Sequence, residues 1–245
     1  MPVACRTLLA ALLVIGLAGC ESTSTPPSPS SITENDPYEA TNRKIFELNE
    51  TLDRNFAKPV ATFYTDHVPE FARDGIHNFL GNLSLPVTFA NDVLQGEAER
   101  AAQTLGRFAF NSTFGIGGLV DQWAKAGRPE HTSDFGETLA VYGVGEGPYL
   151  VLPVLGPSNP RDAVGYGADV ALDPATWISF RSSIWFSIGR GALNLVDERS
   201  QSLETLDNIE RTSVDFYATM RSLYRQHRQA EINHGKPNIE NLPNF

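Results

Sequence analysis

YGVGEGPYLVLPVLGPSNPRD, residues 142–162, is the stretch on which the reading of the fold turns. Glycines 143, 145, 147 and 156 and prolines 148, 153, 157 and 160 supply eight of its twenty-one residues. Each interior Pro costs a helix about 3 kcal/mol and each Gly about 1, so no continuous helix runs through it. Yet it carries no charge between Glu146 and Arg161, and Tyr149 to Leu155 is oily. Irregular backbone leaves N–H and C=O groups to be paired, usually by water. An irregular and apolar segment is therefore either a buried connector or a wall beside something partly apolar. At its end Asn159-Pro160-Arg161-Asp162 reads as a helix start: cap, Pro at the first position, acid at the third.

Outward from this stretch the chain reads as helices. Asp36-Pro37-Tyr38-Glu39 repeats the cap–Pro–acid pattern, and Ile45, Leu48, Leu52 and Phe56 follow as one apolar stripe. Pro69 opens a helix that Gly81-Asn82 closes. Pro86 opens another, with Val87, Ala90, Val93 and Leu94, closed by Gly96. A helix over 97–110 turns Ala101, Leu105, Phe108 and Ala109 inward, and Ser133 caps the next. Beyond residue 162, helices carry Val164 and Val170, then Ile188, Leu195 and Val196, then Val214, Tyr217, Met220 and Tyr224. Strands have little support, since the only β-like runs lie beside prolines. The expectation is an all-α domain of short helices over 36–236, followed by a short polar tail, 237–245.

The N-terminus is an address. One positive charge, Arg6, precedes a ten-residue apolar core, Leu8 to Leu17, which is too short to cross a bilayer. It ends in Leu17-Ala18-Gly19-Cys20, the pattern of a bacterial lipobox, with residues 1–19 removed and Cys20 acylated. A Ser/Thr/Pro-rich tether, residues 20–35, follows. Several acyl chains on one Cys anchor stably where a single chain would not. Of the two cysteines, Cys5 leaves with the leader and Cys20 carries lipid, so no disulfide is expected. No Asp follows Cys20, so the expected destination is the outer membrane, facing the periplasm.

The formal charge of −10 argues against nucleic acid and against a polybasic grip on anionic lipid. Neither a G-x-S-x-G elbow nor a Walker A loop occurs, and the five histidines lack metal-ligand spacing. No catalytic residue, cofactor or metal is expected.

These residues resemble the MlaA (VacJ) family of outer-membrane phospholipid-transport lipoproteins. The resemblance runs over about 36–236 and rests on DPYEATNRKIFELN (36–49), KPVATFYTDHVPEFARDGIHNFLGNLSLP (58–86), LQG (94–96), RFAFNSTFGIGGLVD (107–121) and DFGETLAVYGVGEGPYLVLPVLGPSNPRD (134–162). It implies a helical ring in the inner leaflet of the outer membrane, around a central amphipathic channel that passes phospholipid. It also implies trimeric porins as partners and a periplasmic carrier, MlaC, as acceptor. The family counterpart of Phe114, Gly115, Ile116, Gly117, Gly118, Leu119 and Val120 is a hairpin beside the pore, with the glycines supplying φ freedom. Trp123, Trp177 and Trp185, with Phe180 and Phe186, are candidate membrane-interface aromatics. Core packing is the alternative for each. Residues 127–133 form a shorter connector than many relatives carry. Two other readings of function are a porin-associated scaffold without transport and a lipid-modifying hydrolase.

Overall fold

The computed structural model describes residues 35–128, 130–177 and 183–234. The leader, Cys20 with the tether to residue 34, Phe180, and the tail 237–245 lie outside the described residues.

The fold is all-α with one small hairpin. Helix α1 (Glu39–Leu52) passes through a single π-helical turn (Asp53–Ala57) into α2 (Lys58–His67). Next come α3 (Glu70–Leu94), α4 (Ala98–Phe114), the short α5 (Gln122–Lys125) and α6 (Phe135–Val141). The hairpin β1 (Leu150–Leu152) and β2 (Gly156–Ser158) precedes α7 (Pro160–Leu172) and the short α8 (Pro174–Trp177). Helices α9 (Ser183–Gln201), α10 (Leu203–Thr212) and α11 (Phe216–Ile232) complete the described chain. Neighbour relations run in a circuit. Helix α1 meets β1, β2 meets α11, α11 meets α6, α6 meets α3, α3 meets α9, and α9 meets α2, which leads back to α1.

Three local expectations are corrected. Residues 70–94 form one helix, not two, with Gly81 and Pro86 inside it. Pro86 removes one backbone hydrogen bond and its ring crowds the preceding turn. Packing on α4 along one side and on α9 along another keeps the helix continuous. Asp36 does not cap α1: its carboxylate instead accepts hydrogen bonds from Asn42 (2.8 Å), Arg221 (2.8 Å) and the Tyr217 hydroxyl. Asp134, not Ser133, caps α6, accepting the Glu137 N–H at 2.8 Å.

The stretch 142–162 holds the hairpin. Leu150 faces Ser158, Val151 faces Pro157 and Leu152 faces Gly156, in antiparallel register. Val154 and Gly156, with φ of 69° and 82°, make the turn. The outer edge of β1 is paired by side chains. Asn42 donates to the Tyr149 carbonyl (3.0 Å) and accepts the Val151 N–H (3.0 Å). Two helical turns on, Asn49 donates to the Leu152 carbonyl (2.9 Å) and accepts the Val154 N–H (2.8 Å). Two asparagines at i and i+7 thus stand in for a third strand, pairing four backbone groups of the hairpin's outer edge and turn. Behind it Tyr149 and Val151 pack with Phe46 and Tyr217 as the hydrophobic cluster. Edge-to-face rings at 5.5 Å (Phe46–Tyr217) and 6.1 Å (Tyr149–Tyr217) lock it. Of the two readings of this stretch, the buried connector holds at Tyr149 and Val151, and residues 150–152 are ordered as a strand.

The polarity of the helices is inverted. In α1 the buried residues are Asn42 and Phe46, while Leu48 and Phe56 of the expected stripe are exposed. Along α3, Asn91 and Asp92 are fully buried and Val93 and Leu94 face out. In α4, Thr104, Arg107 and Asn111 are buried and Leu105 is exposed. Helix α7 buries Arg161 and exposes Val164 and Val170; α9 buries Asp197 and Arg199 and exposes Ile188 and Leu195. Of the expected apolar positions, Leu80, Ala101 and Tyr217 are buried, and so is Leu85 of α3. Buried polar groups are costly unless paired, and these are paired. Asp92 accepts from Thr104 (2.6 Å) and lies 3.0 Å from His131. Arg199 reaches Asp53 at 2.7 Å.

Candidate functional site

The glycine-rich segment begins where α4 ends. Phe114 is its last helical residue, and the three that follow Gly115 turn left-handed: Ile116 (φ 55°), Gly117 (68°) and Gly118 (96°). Gly118 donates back to the Asn111 carbonyl (3.0 Å) and Val120 to the Gly115 carbonyl (2.9 Å). The loop is pinned on two sides. The Leu119 carbonyl accepts from Asn78 of α3 (3.3 Å). A Cβ on Gly118 would stand 2.7 Å from the Asn82 side chain, and a Cβ on Gly115 would collide with the carbonyl oxygens of Val120 and Asn111. Glycine is therefore required at 115 and 118 for close approach, as well as at 118 for its φ. Asp121 anchors the end, accepting from Asn111 (2.9 Å), Arg107 and the Ala124 N–H (2.9 Å). Burial would raise its carboxyl, but the Ala124 N–H, Asn111 and Arg107 together hold it below the ordinary value. What the loop presents outward is apolar: Phe114, Ile116 and Leu119 are exposed, with Val120 half-buried.

The three tryptophans separate. Trp123 is half-buried, its ring against Gly106, 6.1 Å from Phe110 and under Arg128 at 4.9 Å. Trp177 and Trp185 are each 72% exposed, and the Trp177 indole N–H donates to the Ala171 carbonyl (2.7 Å). Phe186 is exposed, and Phe180 lies outside the described residues.

The dominant electrostatic feature is a hub where α6, α7 and α11 meet. Arg228 of α11 donates to Asp134 through both terminal nitrogens (2.6 and 2.7 Å), to Asp162 (3.1 Å) and to Glu231 (3.1 Å). Its Nε lies 2.9 Å from Asp162. Asp162 also accepts from the Tyr224 hydroxyl (2.6 Å), Asn159 (2.7 Å) and Arg161 (3.0 Å). The Asn159 cap forms as expected, yet Asp162 is more than part of a helix start. Burial would raise its carboxyl, and Tyr224, Arg228 and Arg161 outweigh burial and hold it low. Glu137 has the opposite fate. Burial, aided by the Asp134 charge, pushes it up to about 8, with Arg228 3.6 Å away. Gly165 lets α6 and α7 touch here, since a Cβ on it would stand 2.4 Å from the Gly136 backbone nitrogen, and Gly136 leaves room for Arg228, which a Cβ there would meet at 2.5 Å.

Beside the hub lies a cleft of about 300 Å³. One wall is apolar, from Leu152, Leu155, Pro157, Ala163 and Tyr166; the other carries Asp134, Asp162, Asp169, Arg228 and Glu231. Sequence reading missed both hub and cleft. Their charges lie 66 and 94 residues from Arg228, with no spacing to join them. The one available signal was Asn159 to Asp162.

The MlaA lipoprotein family model matches residues 34–231. A protein of Rickettsia bellii is 37% identical over 82% of this chain and 78% of its own length. The intermembrane phospholipid transport system lipoprotein MlaA of Escherichia coli is 34% identical, covering 93% of this chain and 89% of its own. That of Haemophilus influenzae is 33% identical over 97% and 96% respectively. A solved structure concerned with maintenance of bacterial outer membrane lipid asymmetry superposes with a TM-score of 0.72 at 36% identity, over 81% of this chain and 99% of that one. The chain belongs to the MlaA lipoprotein family.

Proposed function

We propose that the chain is an outer-membrane lipoprotein, anchored through Cys20, that moves phospholipid between membranes. It takes phospholipids misplaced in the outer leaflet and delivers them to a periplasmic carrier, MlaC, working beside trimeric porins. It hydrolyses nothing on the way. The names of the Escherichia coli and Haemophilus influenzae relatives support the transport reading.

The observation that carries the proposal is the inverted polarity. Phe63, Phe71, Phe114, Ile116, Trp177 and Trp185 are 63–80% exposed, while aspartates, arginines and asparagines are buried alongside a small apolar core. Exposed apolar surface on this scale belongs against lipid. No helix among the described residues is long and apolar enough to cross a membrane. The helices therefore lie in one leaflet, with Trp177 and Trp185 at its polar boundary. The buried polar pairs brace the helices, and the circuit of neighbouring helices is read as the ring around a lipid path. We assign 114–120 to the wall of that path: an ordered glycine loop that turns Phe114, Ile116 and Leu119 outward. The task demands such a path. Two chains of roughly sixteen carbons, at ~0.8 kcal/mol per CH₂, resist transfer into water by on the order of 25 kcal/mol.

The test is genetic and chemical. A strain lacking the protein should accumulate outer-leaflet phospholipid and become detergent-sensitive, and the intact gene should restore both. Unchanged lipid asymmetry would refute transport and favour the porin-associated scaffold. Lysolipid released by the purified protein from phospholipid vesicles would favour a hydrolase.

A further inference from the structure

A second, much smaller cavity lies between α3 and α4, beside the glycine-rich loop. Asn82 of α3, Arg107 and Asn111 of α4, Asp121 and Glu130 line it. Its volume is about 10 Å³, the room that one water needs. Two of these residues carry a buried polar atom without a partner: Arg107 Nη1, which can only donate, and Asn82 Oδ1, which can only accept. The residues are 8% and 6% exposed, so bulk solvent does not serve those atoms. Buried donors and acceptors are costly when left unmade. Their other atoms are committed. Arg107 Nη2 holds Asp121 and lies 3.1 Å from Glu130, and Asn82 Nδ2 donates to the Ser112 hydroxyl (3.1 Å). Both residues also pin the glycine loop: Asn82 leaves no room for a Cβ on Gly118, and Arg107 holds the Asp121 that ends the loop.

We propose that this cavity binds one ordered water, which accepts from Arg107 Nη1, donates to Asn82 Oδ1 and so ties the glycine loop to α3 and α4. Chemistry selects water as firmly as size does. An anion meets the carboxylates of Asp121 and Glu130, and a cation meets the guanidinium of Arg107. Among the described residues no group of His, Cys, Asp or Glu side chains is arranged to hold a metal ion. A neutral molecule that both donates and accepts satisfies the two orphaned atoms at once. The Glu130 carboxylate on the cavity wall is an acceptor for its second hydrogen. The proposal stands apart from the transport reading and does not depend on it.

The experiment is a crystal structure of the full-length lipidated protein in detergent, at a resolution that shows ordered water. Density for one water is expected about 3 Å from both Arg107 Nη1 and Asn82 Oδ1. Absence of density there, or a direct Arg107–Asn82 hydrogen bond, overturns the proposal. An anomalous peak at that position in crystals grown with bromide would identify an anion and overturn it too. Hydrogen exchange of the same protein tests the tie. The reporters are the Gly118 and Val120 amides, which donate to the Asn111 and Gly115 carbonyls. Asn82→Leu keeps the side-chain shape without the acceptor. It should expel the water and speed exchange at both amides about tenfold, which corresponds to ~1.4 kcal/mol. Ser112→Ala removes the partner of the Asn82 amide nitrogen and spares its oxygen, so the water and the exchange should match the wild type. Equal acceleration in both variants would assign the effect to the Ser112 hydrogen bond and overturn the tie. Wild-type exchange in Asn82→Leu would overturn it as well.

Discussion

Glu137→Gln should make the protein more stable at alkaline pH and remove one component of its pH dependence. Glu137 is 2% exposed, its Oε2 has no hydrogen-bond partner, and its nearest cation, Arg228, is 3.6 Å away and committed to Asp134 and Asp162. Burial first, then the Asp134 charge, raises its carboxyl from 4.5 to about 8. The unfolded chain releases this proton near 4.5 and the folded chain near 8, so between these values the folded state holds more protons. The stability tied to Glu137 is therefore complete below pH 4.5 and is lost as pH rises through 8. At 1.36 kcal/mol per unit, the loss reaches about 5 kcal/mol above pH 8 and about 3 at pH 7. Glutamine keeps the shape and cannot ionise. Denaturant unfolding in detergent, followed by tryptophan fluorescence at pH 4 to 9, gives the comparison. Other raised carboxyls, Glu50, Asp169 and Glu198, contribute to both proteins, so the difference between them isolates Glu137. The two should agree within about 1 kcal/mol at pH 4 and diverge by several above pH 8. Parallel curves across the whole range would refute the buried, neutral Glu137 argued here.

Four further variants probe the same geometry, and a fifth probes the lipid anchor. Gly115→Ala should destabilise by about 3 kcal/mol or more, because its Cβ meets two backbone carbonyls that cannot move aside. Gly117→Ala, with φ of 68° and open space around it, should cost only about 1–2, and thermal melts of the pair decide. Asn42→Leu should lose roughly 2–4 kcal/mol by stripping partners from Tyr149, Val151 and Asp36, and faster hydrogen exchange at the Val151 amide would report the freed strand edge. Arg228→Met should cost about 3–5 kcal/mol by leaving the largely buried Asp162, and Asp134 beside it, without their cation, and urea midpoints measure it. Cys20→Ala should yield unacylated protein that no longer fractionates with the outer membrane, read by gel mobility and membrane fractionation.

Local chemistry was legible where one short segment contains its own explanation. Asn159 caps α7 through the Asp162 N–H, and α7 stops at Asp173 before Pro174. The glycines of 114–120 foretold left-handed backbone, which Gly117 and Gly118 adopt. The continuity of α3 through Pro86 was not legible, because packing on α4 and α9 outweighs a local break. Nor was the cap role of Asp134, since Ser133 beside it is an equally good cap and is used instead to accept from Gln95 at 2.8 Å.

Apolar periodicity was present in α1, α3, α4, α7 and α9, and it correctly marked helices. The amino-acid pattern alone determined the helical class and the family. It could not determine which face is inside. A stripe of period 3.6 shows that one face differs from the other, but the direction it points depends on what surrounds the domain. Only the tertiary structure decided that Asn42, Asp92, Arg107 and Arg228 go inward and Leu48, Leu105 and Val164 outward. It could do so because distant segments bring Asp134 and Asp162 to Arg228, and that pairing exists only once the chain has folded.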